Sequence, residues 1–211
     1  MLKILASTLV AGAALAAAAT AAAPVTVTLA ASAAAVNYGK PVTLSGVLST
    51  KRANQPIAIE ATECGSTKAI KAATVRTVAN GLYSTPVTPV AATTYQATFK
   101  NVKSTTVSVA VRPVLQLTKV ARGSYTAKVT AGKTLKGKAV LFQRYSTLRK
   151  RWIQVKRVLL TTEAPGPAKP TVIDSASFRA KVALRARVRL LIPTVQAAPC
   201  FLSATSNVVR A

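Results

Sequence analysis

The sequence predicts an all-β protein: two tandem antiparallel β-sandwiches that follow an amino-terminal signal peptide. Three observations predict it. Beyond residue 24, apolar and polar residues alternate at period two in runs of five to seven rich in β-branched side chains. Clusters of Gly, Pro and Asn punctuate these runs at short intervals. No run beyond residue 24 carries a helical period. The chain has 211 residues, 50% of them hydrophobic, enough for packed cores in one or two domains. Much of that fraction is alanine, and aromatic residues are scarce, so Val, Leu and Ile must fill the cores.

The elements follow in order. Lys3 precedes an uncharged apolar stretch over residues 4–19, and small-residue Ala-x-Ala patterns come next. This reads as a signal peptide over residues 1–22, cut after Ala21 or Ala22, and no later stretch is apolar and long enough to span a bilayer. In the first half, strands are predicted where Val25, Val27 and Leu29 alternate with threonines. They recur around Val42 and Leu44, Ile57 to Ala61, Tyr95 to Phe99 and Val107 to Val111. Turns fall at Tyr38-Gly39-Lys40-Pro41, Ala53-Asn54-Gln55-Pro56, Asn80-Gly81 and Pro86 to Pro89. The second half repeats the plan. Leu115 and Leu117 open it, and strands follow over residues 123–130, 138–145 and 152–160. Residues 164–170, with three prolines, are expected to stay outside any ladder. Residues 177–182 and 185–191 then read as a hairpin, and residues 203–209 as the closing strand. The domains are thus expected over residues 24–112 and 113–211, each the size of an immunoglobulin-like sandwich.

Three segments carry a resemblance: Tyr38-Gly39-Lys40-Pro41-Val42-Thr43-Leu44-Ser45-Gly46, Asn80-Gly81-Leu82-Tyr83-Ser84 and Thr93-Thr94-Tyr95-Gln96-Ala97. They resemble bacterial secreted immunoglobulin-like repeat domains, over nearly the whole chain beyond the signal peptide. The resemblance implies a spacer, adhesin or accessory module rather than an enzyme, and it specifies a fold, not a ligand. Tyr95 matches the tyrosine-corner position, two residues before the place where antibody domains carry a cysteine; Ala97 stands there. The second half has Val188 and Arg189 in that region and no tyrosine.

Cys64 and Cys200 are the two cysteines, one in each half, so neither sandwich can hold an internal disulfide. Export favours oxidation. Cys64 follows the third strand of its half and Cys200 lies between the last two strands of its own, which places both at the junction between domains. An interdomain disulfide is the expectation; two free thiols or intermolecular dimers are the alternatives.

Twenty-nine Lys and Arg face four Asp and Glu, with no His, for a net charge of +25. Loss of Lys3 with the signal peptide leaves about +24. The absence of His removes the commonest general base and metal ligand. No phosphate-cradling glycine loop, nucleophile elbow or metal-ligand spacing occurs, so no catalytic residue, cofactor or metal is expected. The four acids are Glu60, Glu63, Glu163 and Asp174. Glu60 and Glu63 should face opposite ways, while Glu163 and Asp174 flank the proline-rich loop and read as solvated acids neutralised by nearby arginines.

The charge is uneven: residues 24–112 carry nine cations and two acids, residues 113–211 nineteen and two. The candidate anion-binding residues are Arg149, Lys150, Arg151, Lys156 and Arg157 around one turn, Arg179 and Lys181 on one strand, and Arg185, Arg187 and Arg189 on one face of the next. Like charges that face each other across strands repel, so such a face makes sense if an anion sits on it, and the guanidinium fork suits carboxylate, phosphate and sulfate. A solvated face that only confers solubility is the alternative. Trp152, Tyr145 and Phe142 lie near the basic turn and read as packing residues. Scarce aromatic platforms disfavour sequence-specific nucleic acid. The expectation is therefore a secreted, non-enzymatic structural or adhesion module that holds anionic polysaccharide, wall or matrix polymers. The alternative is a passive spacer or protein-binding module whose charge is incidental.

Overall fold

The computed structural model describes residues 23–211. The expected signal peptide over residues 1–22 lies outside the described residues. The first half runs β1 (Ala30–Ala31), β2 (Ala35–Asn37), β3 (Val42–Val47), β4 (Pro56–Glu63), β5 (Ile70–Arg76), β6 (Leu82–Val87), β7 (Thr93–Phe99), β8 (Val102–Lys103) and β9 (Val107–Arg112). The second half runs β10 (Val114–Ala121), β11 (Ser124–Ala131), β12 (Ala139–Ser146), β13 (Arg151–Leu159), β14 (Thr162–Pro165), β15 (Val172–Arg179) and β16 (Arg187–Ile192). A single helical turn, α1 (Thr194–Ala197), follows, and then β17 (Ala204–Thr205) and β18 (Val209–Arg210).

These strands build two sandwiches. In the first, the sheet β1–β3–β6 faces the sheet β2–β9–β7–β4–β5, with β8 paired to β7. In the second, β10–β11–β15–β14 faces β13–β12–β16–β17, with β18 also on β16. Taken in chain order, β10, β11, β15 and β14 occupy the A-B-E-D sheet of an immunoglobulin constant-type domain. β12, β16 and β17 occupy its C-F-G sheet, with β13 added outside β12. The first sandwich has the same crossover from sheet to sheet and a parallel pairing of β2 with β9. Both are immunoglobulin-like.

Period-two patterning explains the layers. Along β7 every second residue is buried, from Thr93 through Tyr95 and Ala97 to Phe99. Tyr95 thus sits on the strand expected for a tyrosine corner, and its burial raises the phenol's pKa. In the first core Leu44, Leu48, Ile57, Ile59 and Val109 are fully buried. The second core adds an aromatic cluster to its aliphatic residues: the rings of Tyr125 and Phe142 lie 4.9 Å apart, and Phe178 lies 5.1 Å from Phe142.

Several readings of the sequence change. The strand expected at Val25, Val27 and Leu29 is only an isolated bridge from Val27 to Leu48, and the closing strand splits into β17 and β18. β5 and β6 are strands where no strand was expected. β5 has an exposed first half without alternation, so its pattern was silent. β6 contains Pro86, which an edge strand tolerates because its missing N–H faces outward. Ala164 and Pro165 do join a ladder, opposite Ile173 and Val172, because β14 is likewise an edge. Finally, residues 177–182 and 185–191 are not a hairpin. β15 pairs with β11 and β14, β16 with β12, so the chain crosses between sheets here.

The sandwiches are tied at their junction. Cys64 and Cys200 form the expected interdomain disulfide, with Cα atoms 5.3 Å apart. The Ala92 amide donates to the Cys200 carbonyl (2.9 Å) and the Leu202 amide to the Val111 carbonyl (2.9 Å). The Tyr38 and Thr171 hydroxyls are 2.9 Å apart, and the Lys133 ammonium donates to the Cys64 carbonyl. Ala91 and Val111, from the first half, are buried in the second core. At Gly132 a Cβ would overlap the Val90 carbonyl oxygen, so glycine lets the two backbones approach.

Candidate anion-binding face of the second sandwich

The register of β12, β13 and β16 decides which side chains share a surface. Tyr145 lies opposite Trp152, Gln143 opposite both Gln154 and Arg189, and Leu141 opposite Arg157 and Leu191. Phe142, Val188 and Leu190 occupy the alternate positions and are fully buried. Tyr145, Trp152, Gln143, Arg157, Arg187 and Arg189 therefore lie on the outer face of the sheet.

On that face the cations are held by aromatic rings. The Arg187 guanidinium lies 4.1 Å from the centroid of Tyr145, and that of Arg189 lies 4.2 Å from the centroid of Trp152. Arg189 Nε also donates to Gln143 Oε1 at 3.0 Å. The two rings meet edge to face, 5.4 Å apart. Partial desolvation lowers the Arg189 pKa, but a guanidinium stays charged under any physiological condition. No acid lies on β12, β13 or β16. Among the described residues the one ion pair is Lys103 with Glu60, at 3.9 Å in the first sandwich, so the cations of the second have no carboxylate partner.

The candidate residues divide into three places. Arg187, Arg189 and Arg157 are on the outer face. Arg149 and Lys150 lie in the β12–β13 turn, beside Arg151 at the start of β13. Lys181 and Arg185 lie in the β15–β16 crossover, with Arg179 at the end of β15. Arg185 was expected on one strand face with Arg187 and Arg189. It instead sits in a turn at φ +62°, its amide donating to the Ala211 carbonyl (3.0 Å). Lys181 likewise lies outside β15. The facing of Arg179 and Lys181 against the β16 arginines does not occur, since these strands belong to different sheets. Lys156 reaches across the sandwich edge to the Arg179 carbonyl (3.0 Å).

Sequence reasoning missed Arg144 and Arg210. Together with Arg149, Arg185 and Arg187 they line a cleft of about 920 Å³ at the end of the sandwich away from the junction. Arg210 lies directly opposite Arg187. The signal for Arg144 was masked by its place in an inward-facing row, which here runs out past the core to solvent. Trp152 and Tyr145 are also reassigned. They are half-buried under arginines on the outer face, and of the three aromatics only Phe142 is a core residue.

Glu163 is solvated as expected, but Asp174 is not, and neither acid lies in a loop. They are direct cross-strand neighbours on β14 and β15, and Asp174 is fully buried. Asp174 accepts from the Leu135 amide (2.7 Å) and the Thr134 hydroxyl (3.2 Å); the same hydroxyl is 2.9 Å from Glu163. Burial raises the Asp174 pKa above its ordinary value, opposed by the Leu135 and Thr134 hydrogen bonds and reinforced by Glu163. No arginine neutralises either acid by ion pairing. The pair anchors the β11–β12 loop that meets the first sandwich.

No family model matches the chain, and no curated protein matches it. Solved structures similar to it include two titled marsupial T cell receptor. One has a TM-score of 0.33 at 10% identity, covering 87% of this chain and 71% of that one. The other has a TM-score of 0.31 at 8% identity, covering 87% of this chain and all of that one. The strand order described above is what places this chain among immunoglobulin-like sandwiches.

Proposed function

We propose that the protein is a secreted, non-enzymatic structural or adhesion module of the bacterial repeat type, which holds anionic cell-wall or matrix polymers on the outer face of its second sandwich. The observation that carries this reading is the pair of stacked guanidiniums, Arg187 on Tyr145 and Arg189 on Trp152, on a face without an acid. Stacking fixes two forks in place, so little side-chain entropy is lost when a carboxylate, phosphate or sulfate group docks. The rings are covered by the arginines, which favours recognition of charge over stacking of bases. The signal-peptide pattern and the disulfide support export.

Retention on a heparin-like resin tests the reading. The mature chain should elute only at high salt, because counterion release makes binding steeply salt-dependent. Replacing both Arg187 and Arg189 with Ser should weaken binding roughly tenfold or more at fixed salt. Unchanged elution of that variant would mean that the face is not the site. The disulfide-fixed junction equally suits a passive spacer, and that second reading expects elution to follow total charge alone.

A further inference from the structure

The end of the second sandwich opposite the junction combines charge with exposed apolar side chains. Three turns meet there. The β10–β11 turn is tied to the β15–β16 crossover by the Ala180 amide donating to the Gly123 carbonyl (2.9 Å), and the crossover shares the arginine cleft with the β12–β13 turn. Each carries or adjoins one bare aliphatic side chain: Val120, near the end of β10, is 68% exposed, Leu148 91% and Leu184 67%. Scattered exposed aliphatics are ordinary, yet three of the four most exposed large ones in the described residues lie on this one end. Each is flanked by cations: Lys119 and Arg122, Arg149 and Lys150, and Arg185. The four acids all lie elsewhere, in the first sandwich or on β14 and β15, where Glu163 is exposed and Asp174 buried.

The turns are also held in shape. The Arg149 amide donates to Ser146 Oγ (3.2 Å), and the Ala211 amide donates to the Ala186 carbonyl (2.9 Å). Lys150 and Arg185 take left-handed backbone conformations, φ +48° and +62°, where glycine is the easier residue. Cationic side chains are therefore present where the backbone alone would favour none.

From this placement we propose that the tip docks on the surface of an anionic lipid bilayer. Leu148, Leu184 and Val120 enter the boundary between headgroups and acyl chains, while Arg144, Arg149 and Arg185 bind lipid phosphates. Aliphatic side chains ringed by cations match such an interface in both components, because apolar burial and electrostatic attraction add there. A soluble polyanion uses the charge and leaves the leucines in water. This goes beyond polymer binding on the sheet face and uses different residues.

Co-sedimentation of the mature chain with vesicles tests it. The protein should pellet with phosphatidylcholine vesicles doped with phosphatidylglycerol, and stay in solution with phosphatidylcholine alone. The double variant Leu148→Ser, Leu184→Ser keeps every charge and alters only exposed positions, so near-UV circular dichroism should match the wild type. It should lose about tenfold or more in vesicle partitioning, while its elution from heparin-like resin stays unchanged. Equal pelleting of variant and wild type would reduce the effect to charge attraction and overturn the proposal. So would a wild type that ignores the anionic vesicles, or a double variant that loses resin and vesicle binding alike. Each of these leaves the Arg187 and Arg189 resin experiment to stand or fall by itself.

Discussion

At the scale of single residues, Asp174 shows how burial turns an acid into a structural group. Its carboxylate is out of water, held by the Leu135 amide and the Thr134 hydroxyl, and its pKa is raised because burial outweighs those two bonds. A carboxyl whose folded pKa exceeds its unfolded one contributes stability that is complete below the unfolded value. That contribution is lost as pH rises through the folded pKa, because the native state holds the proton longer. The melting temperature of the wild type should therefore fall relative to that of Asp174→Asn as pH rises from about 4 to about 7. The amide oxygen can still accept from Leu135. Parallel melting curves across that range, measured by calorimetry, would show that the carboxyl titrates alike in both states. The sequence placed this residue beside a proline-rich loop and could not reveal its burial, because the register that sets it against Glu163 depends on β14 being a strand.

At the scale of elements, the sheet β13–β12–β16 decides the candidate site. The alternation in the sequence correctly put Val188 and Leu190 inside and Arg187 and Arg189 outside, since one-face burial is a period-two property legible in a single strand. Which strand lies next to β16 is not legible in that way. Residues 177–182 and 185–191 look like a hairpin because the connection is short, but an immunoglobulin crossover of that length joins opposite sheets. The true neighbour, β12, is forty residues or so earlier in the chain. Hence the repulsive pairing expected from sequence is absent, and the stacking on Tyr145 and Trp152, which needs the true neighbours, went unseen. The element-level consequence can be measured. Trp152→Ala leaves the net charge untouched and removes the support under Arg189. It should cost on the order of 1 kcal/mol of stability and several-fold in affinity for a polyanion resin at fixed salt. Affinity equal to wild type would show that the guanidinium needs no platform, and that diffuse field alone holds the polymer.

At the scale of the whole molecule, two features were legible and one was not. The uneven charge followed from counting, and the disulfide followed from strand order, because both cysteines had to face the junction between the sandwiches. The continuous packing of the junction was hidden, since Ala91 and Val111 carry no sequence sign that they are buried in the other half's core. This packing determines what the disulfide does. The bridge spans a sequence separation of 136 residues. In the chain-entropy model, closing so long a loop stabilises the folded state by about 4–5 kcal/mol. The backbone bonds from Ala92 to Cys200 and from Leu202 to Val111 do not depend on the sulfurs, so the double variant Cys64→Ser, Cys200→Ser should still fold and dock. Its denaturant midpoint should drop by the equivalent of those kilocalories, and where the wild type should unfold in one transition the variant should unfold in two, because the sandwiches lose the bridge that couples them. Retention on polyanion resin should not change, because the stacked face on β12, β13 and β16 is remote from the junction. A midpoint within error of the wild type would mean that residual structure already restrains the unfolded chain as tightly as the bridge does. A single sharp transition at a lowered midpoint would instead show that the shared core alone couples the two halves.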